Sequence, residues 1–348
     1  SNRNIIINGA MQISQRSASV TGITDTGYYT LDRWKSRIIT MGTWTQTQST
    51  DVPTGAGFAT SLKMDCTTAD GSPAATDVVQ FFYGIEGQDV QQLKYGTPDA
   101  EQLTLSFWVK ATKTGLNVVT LYQDDPAKSV SGTYTISTSN TWEYKTLTFV
   151  GNTADVIAND NTRGLLCIWQ LGAGSDRTSG TLRTTWTAYA VADEAVGQVN
   201  NADSTSNDWL ITGVQLEVGT VATPFEHRSY GQELALCQRY YEKSYDTTVA
   251  PATDTVNGTY NFAGSSEGNG NVIVPIIFSV AKRAAPTMKG YRKAGTADSW
   301  NFDRSGSSTA GAITFDRIGV NQTRAYIAAG ANFVEVYVYG HWVADAEL

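Results

Sequence analysis

Along most of the chain, apolar and polar residues alternate one by one. In Leu103-Thr104-Leu105-Ser106-Phe107-Trp108-Val109-Lys110, residues Leu103, Leu105, Phe107 and Val109 share one face and Thr104, Ser106, Trp108 and Lys110 the other. Successive side chains of a strand point to opposite sides, so this pattern predicts a half-buried antiparallel strand. Similar runs predict strands over 61–66, 78–83, 118–122, 132–136, 143–150, 165–171 and 209–218. Turn-forming clusters such as Asp70-Gly71-Ser72-Pro73 and Asp124-Asp125-Pro126 separate them. Short strands in such numbers, with no helical pattern between them, predict an all-β fold with an antiparallel β-sandwich over 1–228.

One segment, 229–243, breaks the rhythm. Ser229 with Gln232 makes a capping box, which satisfies two free amide donors at a helix start. Leu234, Cys237 and Tyr241 then share a face, with Leu236 and Tyr240 beside them. Arg239 and Lys243 suit the negative carboxyl end of a helix. The spacing predicts one connecting α-helix over 229–245 and a smaller C-terminal β domain over 246–348. That domain opens on a loose Thr/Ala/Pro/Asp-rich stretch, 246–257. Beyond it, Val272, Ile273, Val274, Ile276, Ile277 and Phe278 surround Pro275. Proline has no amide to give to a ladder, so this is an edge strand, a bulge or a strand pair. Further on, Val334, Val336 and Val338 alternate with Glu335, Tyr337 and Tyr339. A domain of about 100 residues with this apolar supply is marginal alone. Association of several copies is expected to complete its core, making it the oligomerisation domain of a homo-oligomer.

Composition narrows the class. Hydrophobic residues make up 41% of the chain, enough for packed cores, while only 17% are charged. Thr, Ser, Asn, Gly and aromatics fill that place, as in strands joined by turns. The net charge of −8 and the lack of clustered Lys and Arg exclude nucleic-acid binding. No apolar run approaches the roughly 20 residues that span a bilayer, so no membrane insertion is expected. Ile5-Ile6-Ile7 is too short for the apolar core of a signal peptide, and synthesis in a cytosol is the expectation. Cys66, Cys167 and Cys237, odd in number and widely spaced, make neither a disulfide framework nor a zinc signature.

Catalytic chemistry finds little purchase. The histidines are His227 and His341, and no Gly-x-Ser-x-Gly elbow accompanies either, so both read as surface or boundary residues. Asp32, Glu86, Asp89, Asp124, Asp125, Glu143 and Glu217 are candidate glycosidase carboxylates, but a chain with 33 acidic residues offers such candidates by chance. The oxygen-rich runs 155–161 and 203–208 lack the spacing of a calcium loop. No cofactor is expected, and a structural calcium ion bracing the sandwich is an open alternative. The aromatics carry more. Trp108 and Trp186 lie on polar faces of their runs, Trp169 is followed by Gln170, and Arg183 precedes Trp186. A sugar ring stacks its C–H face on an indole while amides and charged groups bind its hydroxyls. Trp108, Trp169, Gln170, Arg183 and Trp186 are therefore the candidate glycan-binding residues. An outward Trp equally suits packing under a loop or against another subunit.

Several segments share one resemblance: Asn4-Ile5-Ile6-Ile7-Asn8-Gly9-Ala10-Met11-Gln12, Leu31-Asp32-Arg33-Trp34, Ile85-Glu86-Gly87-Gln88-Asp89-Val90, Thr212-Gly213-Val214-Gln215-Leu216-Glu217 with Pro224-Phe225-Glu226, and the closing Gly340-His341-Trp342. Together they resemble bacteriophage and prophage tail-fibre or virion structural proteins. The resemblance covers residues 1–245 well and the remainder more loosely. It implies a galactose-binding-like jelly roll, a homotrimeric fibre setting and no catalytic residues. It also implies a place in the virion after synthesis in the bacterial host cytoplasm. Its partners would be other copies of itself, other tail or capsid proteins and a host-surface glycan. Neither an anchoring domain nor a long shaft is visible in the sequence, so Ile5, Ile6 and Ile7 are the candidate virion-docking patch, with the first strand of the sandwich as their alternative role. The expected function is host attachment through a glycan by a non-enzymatic receptor-binding protein. The alternatives are a virion polysaccharide depolymerase and a purely structural adaptor or capsid decoration protein.

Overall fold

In a computed structural model describing residues 3–266, 270–304, 307–330 and 333–348, the chain folds into two units. The first comprises Ser1–Ile13, Ser19–Tyr230 and Leu348, the second Ser14–Ala18 and Gly231–Glu347.

The first unit contains strands β1 (Ser19–Ile23), β2 (Trp34–Ile39), β3 (Thr43–Ser49), β4 (Ser61–Thr68), β5 (Val78–Glu86), β6 (Leu103–Ala111), β7 (Gly115–Gln123), β8 (Lys128–Ile136), β9 (Glu143–Phe149), β10 (Arg163–Ala173), β11 (Thr187–Ala188) and β12 (Asp208–Val218), with a single turn of helix, α1 (Ser175–Thr178). They form two six-stranded sheets, ordered β1-β3-β4-β12-β6-β9 and β11-β8-β7-β10-β5-β2. Every neighbouring pair is antiparallel. The chain passes repeatedly from one sheet to the other, which makes the unit a jelly-roll sandwich. Each run singled out by alternation is a strand. The central strand β5 is buried along its whole length, and β10 and β12 are nearly so, which is why they read as apolar runs more than as alternating ones.

The inner faces meet in aromatic packing. Trp34 of β2 stacks on Phe81 of β5 with ring centres 4.9 Å apart and planes 3° from parallel. Trp169 meets Trp34 edge-on at 5.5 Å and reaches across the sandwich to Phe107 of β6 at 6.0 Å. Phe81 reaches Trp209 of β12 at 5.8 Å. All five are fully buried. This placement corrects one sequence expectation: Trp169 is a core residue, closed to any surface ligand.

The N-terminal segment is neither a strand nor an exposed patch, a second correction. Ile6 is fully buried, and Ile5 and Ile7 pack against the core. Side-chain amides hold the segment in place. Asn4 Oδ1 accepts from the Ile6 amide at 3.0 Å and the Leu216 amide at 3.1 Å. Asn8 Oδ1 accepts from the Gln12 and Ile13 amides at 2.9 Å each, and the Asn8 carbonyl accepts the Trp34 indole N–H at 3.1 Å. A Cβ on Gly9 would lie 2.1 Å from the Val214 carbonyl oxygen, so only glycine fits the Asn8-Gly9 turn.

The second unit contains α2 (Tyr230–Gln238), of which Tyr230 belongs to the first, and β13 (Tyr241–Lys243), β14 (Tyr260–Ser266), β15 (Asn271–Ile277), β16 (Thr287–Tyr291), β17 (Ser299–Arg304), β18 (Ser307–Asp316), β19 (Gln322–Ala328) and β20 (Phe333–Asp345). The sheet order is β13-β20-β17-β18-β19-β15, and β14 and β16 also pair with β20. The long strand β20 is thus the spine. The helix expected over 229–245 ends at Gln238, seven residues early. Tyr241 to Lys243 instead pairs with Asp345 to Val343, because β20 supplies ladder partners that outweigh helix propensity. Pro275 lies on β15, at the sheet edge, opposite Arg324. Val336 and Val338 point into the core, whereas the Val334 side chain lies outside the described residues.

His341 is fully buried, against the expectation of a surface or boundary histidine. Its ring stacks on Tyr245 with centres 3.6 Å apart. Nε2 lies 3.1 Å from the Thr255 carbonyl, and Nδ1 lies 3.3 Å from Ser244 Oγ. Burial pushes its pKa below the ordinary 6.5, against the opposing pull of the Thr255 carbonyl and Asp246. None of the three cysteines is in a disulfide and all are buried; burial lifts Cys167 to about 12, which leaves it unreactive.

Two outcomes follow. Trp169→Ala opens a cavity at the centre of the sandwich and should cost about 3–5 kcal/mol in urea unfolding; a loss below ~1 kcal/mol would contradict the central role of this ring. His341 resists protonation when folded but not when unfolded, so stability should fall as pH drops below 6.5 and be retained above it. Thermal melts across that window should show the decline, and His341→Gln should flatten it; an unchanged slope would show that other groups set it.

Candidate functional site

The outer face of the sheet containing β6 carries a groove. Antiparallel pairing sets Trp108 of β6 opposite Tyr144 of β9, and Ser106 opposite Thr146. Both rings point away from the core because they occupy the polar positions of their strands. Trp108 is half-buried, Tyr144 is 45% exposed, and the ring centres lie 5.3 Å apart at an angle of 50°. The two rings form one aromatic platform.

Two loops build the opposite wall. The β3–β4 loop contributes Ala56 and Phe58, and the segment after β12 contributes Pro224, Phe225 and His227. Phe58, Phe225 and His227 form a three-ring cluster, with centres 5.0, 5.4 and 4.9 Å apart. Ser106 and Gly213 complete the lining of a groove of about 540 Å³. Gly213 lies in a bulge of β12 with φ +62°, and a Cβ there would lie 2.5 Å from the Phe58 ring.

The residues quoted for the family resemblance hold this wall in place. Gln215 Oε1 accepts from the Glu226 amide at 2.8 Å, and its Nε2 donates to the Thr223 carbonyl at 3.1 Å. Glu217 accepts from the Thr223 amide at 2.8 Å and from the Thr223 hydroxyl at 2.6 Å. Glu226 accepts from the Asn4 amide at 2.7 Å. Burial alone would raise the Glu226 carboxyl, but the Asn4 and Arg3 amides and the nearby Arg228 and Arg3 charges outweigh it and hold it below the usual range. It is therefore a fixed anion that ties the loop to the N-terminal segment. Further along β6, Lys110 donates to Asp51 of the β3–β4 loop at 2.7 Å, and the Trp142 indole, just ahead of β9, donates to the same carboxylate at 2.9 Å.

The structure does not bring the five expected glycan-binding residues together. Trp108 lies in the groove and Trp169 in the core. Gln170 is on the outward side of the other sheet but fully covered, and accepts from Gln80 at 2.9 Å. Arg183 and Trp186 lie on the segment leading to β11. There Arg183 pairs with Asp193 at 2.8 Å, and the Trp186 indole donates to the Val150 carbonyl at 2.7 Å. Sequence reasoning missed Phe58, Tyr144 and Phe225 as site residues. Tyr144 was legible as an outward aromatic within a recognised strand, whereas Phe58 and Phe225 sit on loops whose meeting no local pattern encodes. The carboxylate candidates do not converge on the groove: Asp32 and Glu86 are fully buried, Asp124 pairs with Arg163 at 2.6 Å, and Glu143 with Lys145 at 2.5 Å. In the oxygen-rich runs, Asp155 faces Lys128 at 3.5 Å and Asp203 accepts from Asn207 at 2.7 Å. Among the described residues, no group of three or more His, Cys, Asp or Glu side chains is arranged to hold a metal ion.

No protein-family profile matches the chain, and no curated protein matches it. Among solved structures, it is similar to the enzymatically active domain of bacteriophage CBA120 tailspike protein 4, at 14% identity and a TM-score of 0.32 over 62% of this chain and 22% of that one. The chain thus spans about a fifth of the tailspike domain's length. It is also similar to a CBM4 structure, at 14% identity and TM-score 0.31 over 61% of this chain and 98% of that one. A third likeness is to TmCBM61 in complex with β-1,4-galactotriose, at 10% identity and TM-score 0.29 over 63% and 100% of the two chains. None reaches a TM-score of 0.5, and the chemistry of the groove is read from its own residues.

Gly213→Ala strains the bulge and drives a methyl group into Phe58. A loss of roughly 1–3 kcal/mol in chemical denaturation is expected, and a neutral substitution would mean that the bulge does not position the Phe58 wall.

Proposed function

We propose that this chain binds a host-surface glycan through the Trp108–Tyr144 platform, as a non-enzymatic receptor-binding part of a phage tail fibre or related virion structure. The observation that carries the reading is the pair of adjacent outward rings facing a second aromatic wall across an open groove. Aromatic faces receive the C–H face of a pyranose, and Ser106, His227 and the Tyr144 hydroxyl supply hydrogen bonds for its hydroxyls. The groove's volume falls within the roughly 300–1,000 Å³ common to small-molecule sites. No Asp, Glu, Lys or Arg is among the described residues that line it, which favours a neutral glycan. Glycoside hydrolysis ordinarily needs two carboxylates flanking the bond, so this lining favours retention over cleavage.

Single-site stacking is weak, about 0.5–1.5 kcal/mol per ring beyond area burial. A homotrimer would convert weak sites into firm attachment, because the second and third contacts become intramolecular. The remaining exposed apolar side chains of the second unit, including Ile273 and Ile277 on β15, are consistent with such assembly.

A panel of neutral bacterial surface polysaccharides, screened by array and then by calorimetry, tests the reading. A bound glycan should lose at least about tenfold in affinity with Trp108→Ala or Tyr144→Ala. Melting temperatures should stay unchanged and no new reducing ends should appear. Binding indifferent to both substitutions would overturn the site, and release of reducing ends would overturn the non-enzymatic assignment.

A further inference from the structure

The other sheet of the first unit has a pocket of its own, of about 220 Å³, which does not share residues with the glycan groove. Its floor is apolar: Phe82 of β5 with Leu166 and Ile168 of β10. These side chains lie on the outward side of the sheet, since their neighbours Phe81, Cys167 and Trp169 point into the core. Tyr122 and Tyr189 form one wall, in edge-to-face contact at 5.0 Å. The pocket is smaller than the roughly 300–1,000 Å³ of drug-sized sites and suits a single ring.

The charges at the rim do not cancel. Arg163 is held by Asp124 through two hydrogen bonds of 2.6 Å each, and its pKa is raised chiefly by that carboxylate. Glu194 is paired with Arg177, and both are buried. Arg37, on β2, has no carboxylate within ion-pair distance among the described residues. Its one side-chain hydrogen bond is a long 3.5 Å contact to Gln80 Oε1. It is half-buried, and burial first, then the Arg177 charge, disfavours its protonated form, outweighing the opposing pull of Glu194 and Tyr189. A guanidinium keeps its proton regardless, so one positive charge is left over in a partly desolvated pocket of a chain whose net charge is −8. An unpaired charge at such a depth is costly unless an anion joins it.

We propose that this pocket is a second binding site, for a small monoanion consisting of one six-membered ring with an apolar face and a carboxylate. The ring lies on Phe82, Leu166 and Ile168 beside Tyr122 and Tyr189, and the carboxylate pairs with Arg37. A guanidinium matches a carboxylate with two parallel hydrogen bonds, and the aromatic wall accepts either a sugar C–H face or an arene edge. A hexuronic acid and an aromatic acid share this chemistry. The inference does not rest on the glycan groove, which lies on the opposite sheet and favours neutral ligands.

Calorimetry or ligand-observed NMR with glucuronate, benzoate and inorganic phosphate, against the neutral counterparts glucose and benzyl alcohol, separates the sources. Binding of glucuronate identifies a sugar acid and binding of benzoate an aromatic acid; either supports the site, provided the neutral counterpart binds at least about tenfold more weakly. Arg37→Gln should reduce carboxylate binding by at least about tenfold while leaving glycan binding at the groove unchanged. Tyr189→Ala, outside the central strands, should weaken it as well and serves if Arg37→Gln fails to fold. The site is overturned if neither acid binds at about 10 mM, an affinity below that of even weak complexes. It is also overturned if phosphate binds as well as the acids, or if both variants bind normally.

Discussion

The first unit depends on the stacking of Trp34 against Phe81 and on the contacts that continue it across the sandwich. Trp34 belongs to an outer strand of one sheet, yet its ring lies flat on Phe81 of the neighbouring strand and is met edge-on by Trp169. Phe107 and Trp209, from the other sheet, close the cluster. Rings of this size each bury some 150–250 Å². Together they hold the two sheets at a fixed separation and register, because a one-residue slip would turn every ring outward. The indole N–H of Trp34 also has an acceptor, the Asn8 carbonyl, so the core is anchored to the N-terminal segment as well.

That anchor gives the N-terminal segment a structural purpose. Asn4 and Asn8 spend their side-chain amides on backbone groups, and Gly9 lets the chain approach β12 closely. The Asn4 amide in turn fixes Glu226, and Glu226 with Gln215 and Glu217 shapes the loop that carries Phe225 and His227. A line of hydrogen bonds therefore runs from the buried Trp34 to the wall of the groove. Its polar residues are satisfied within the unit, and their partners are mostly backbone groups of loops that would otherwise be loose.

With the interior occupied by aromatics, the open grooves of the first unit lie on its two outer faces, and these differ. One presents a broad aromatic groove without charged lining; the other presents a small apolar pocket rimmed by arginines. The second unit has its own core, with β20 paired to four other strands and His341 sealed against Tyr245. Its ionisable interior also includes the Lys282–Glu242 pair, in which burial pushes the lysine's pKa below its ordinary value.

Period-two alternation was enough to locate most strands of the first unit and to turn Trp108 outward, because a strand side chain's direction follows from position parity alone. The same logic failed where parity does not decide burial. Trp169 and Gln170 are both inaccessible, since Gln170 on the outward side of β10 is covered as fully as Trp169 on the inner side. The end of α2 was misplaced because pairing with β20, about 100 residues away, outbids local helix preference. His341 looked like a boundary residue because nothing near it in sequence announces Tyr245. Local spacing thus carried the strands and their faces. The meeting of Phe58 with Phe225 and of Trp108 with Tyr144, and the placing of Arg37 without an ion-pair partner among the described residues, arise from long-range pairing and loop closure, which residues distant in sequence fix together and none encodes alone.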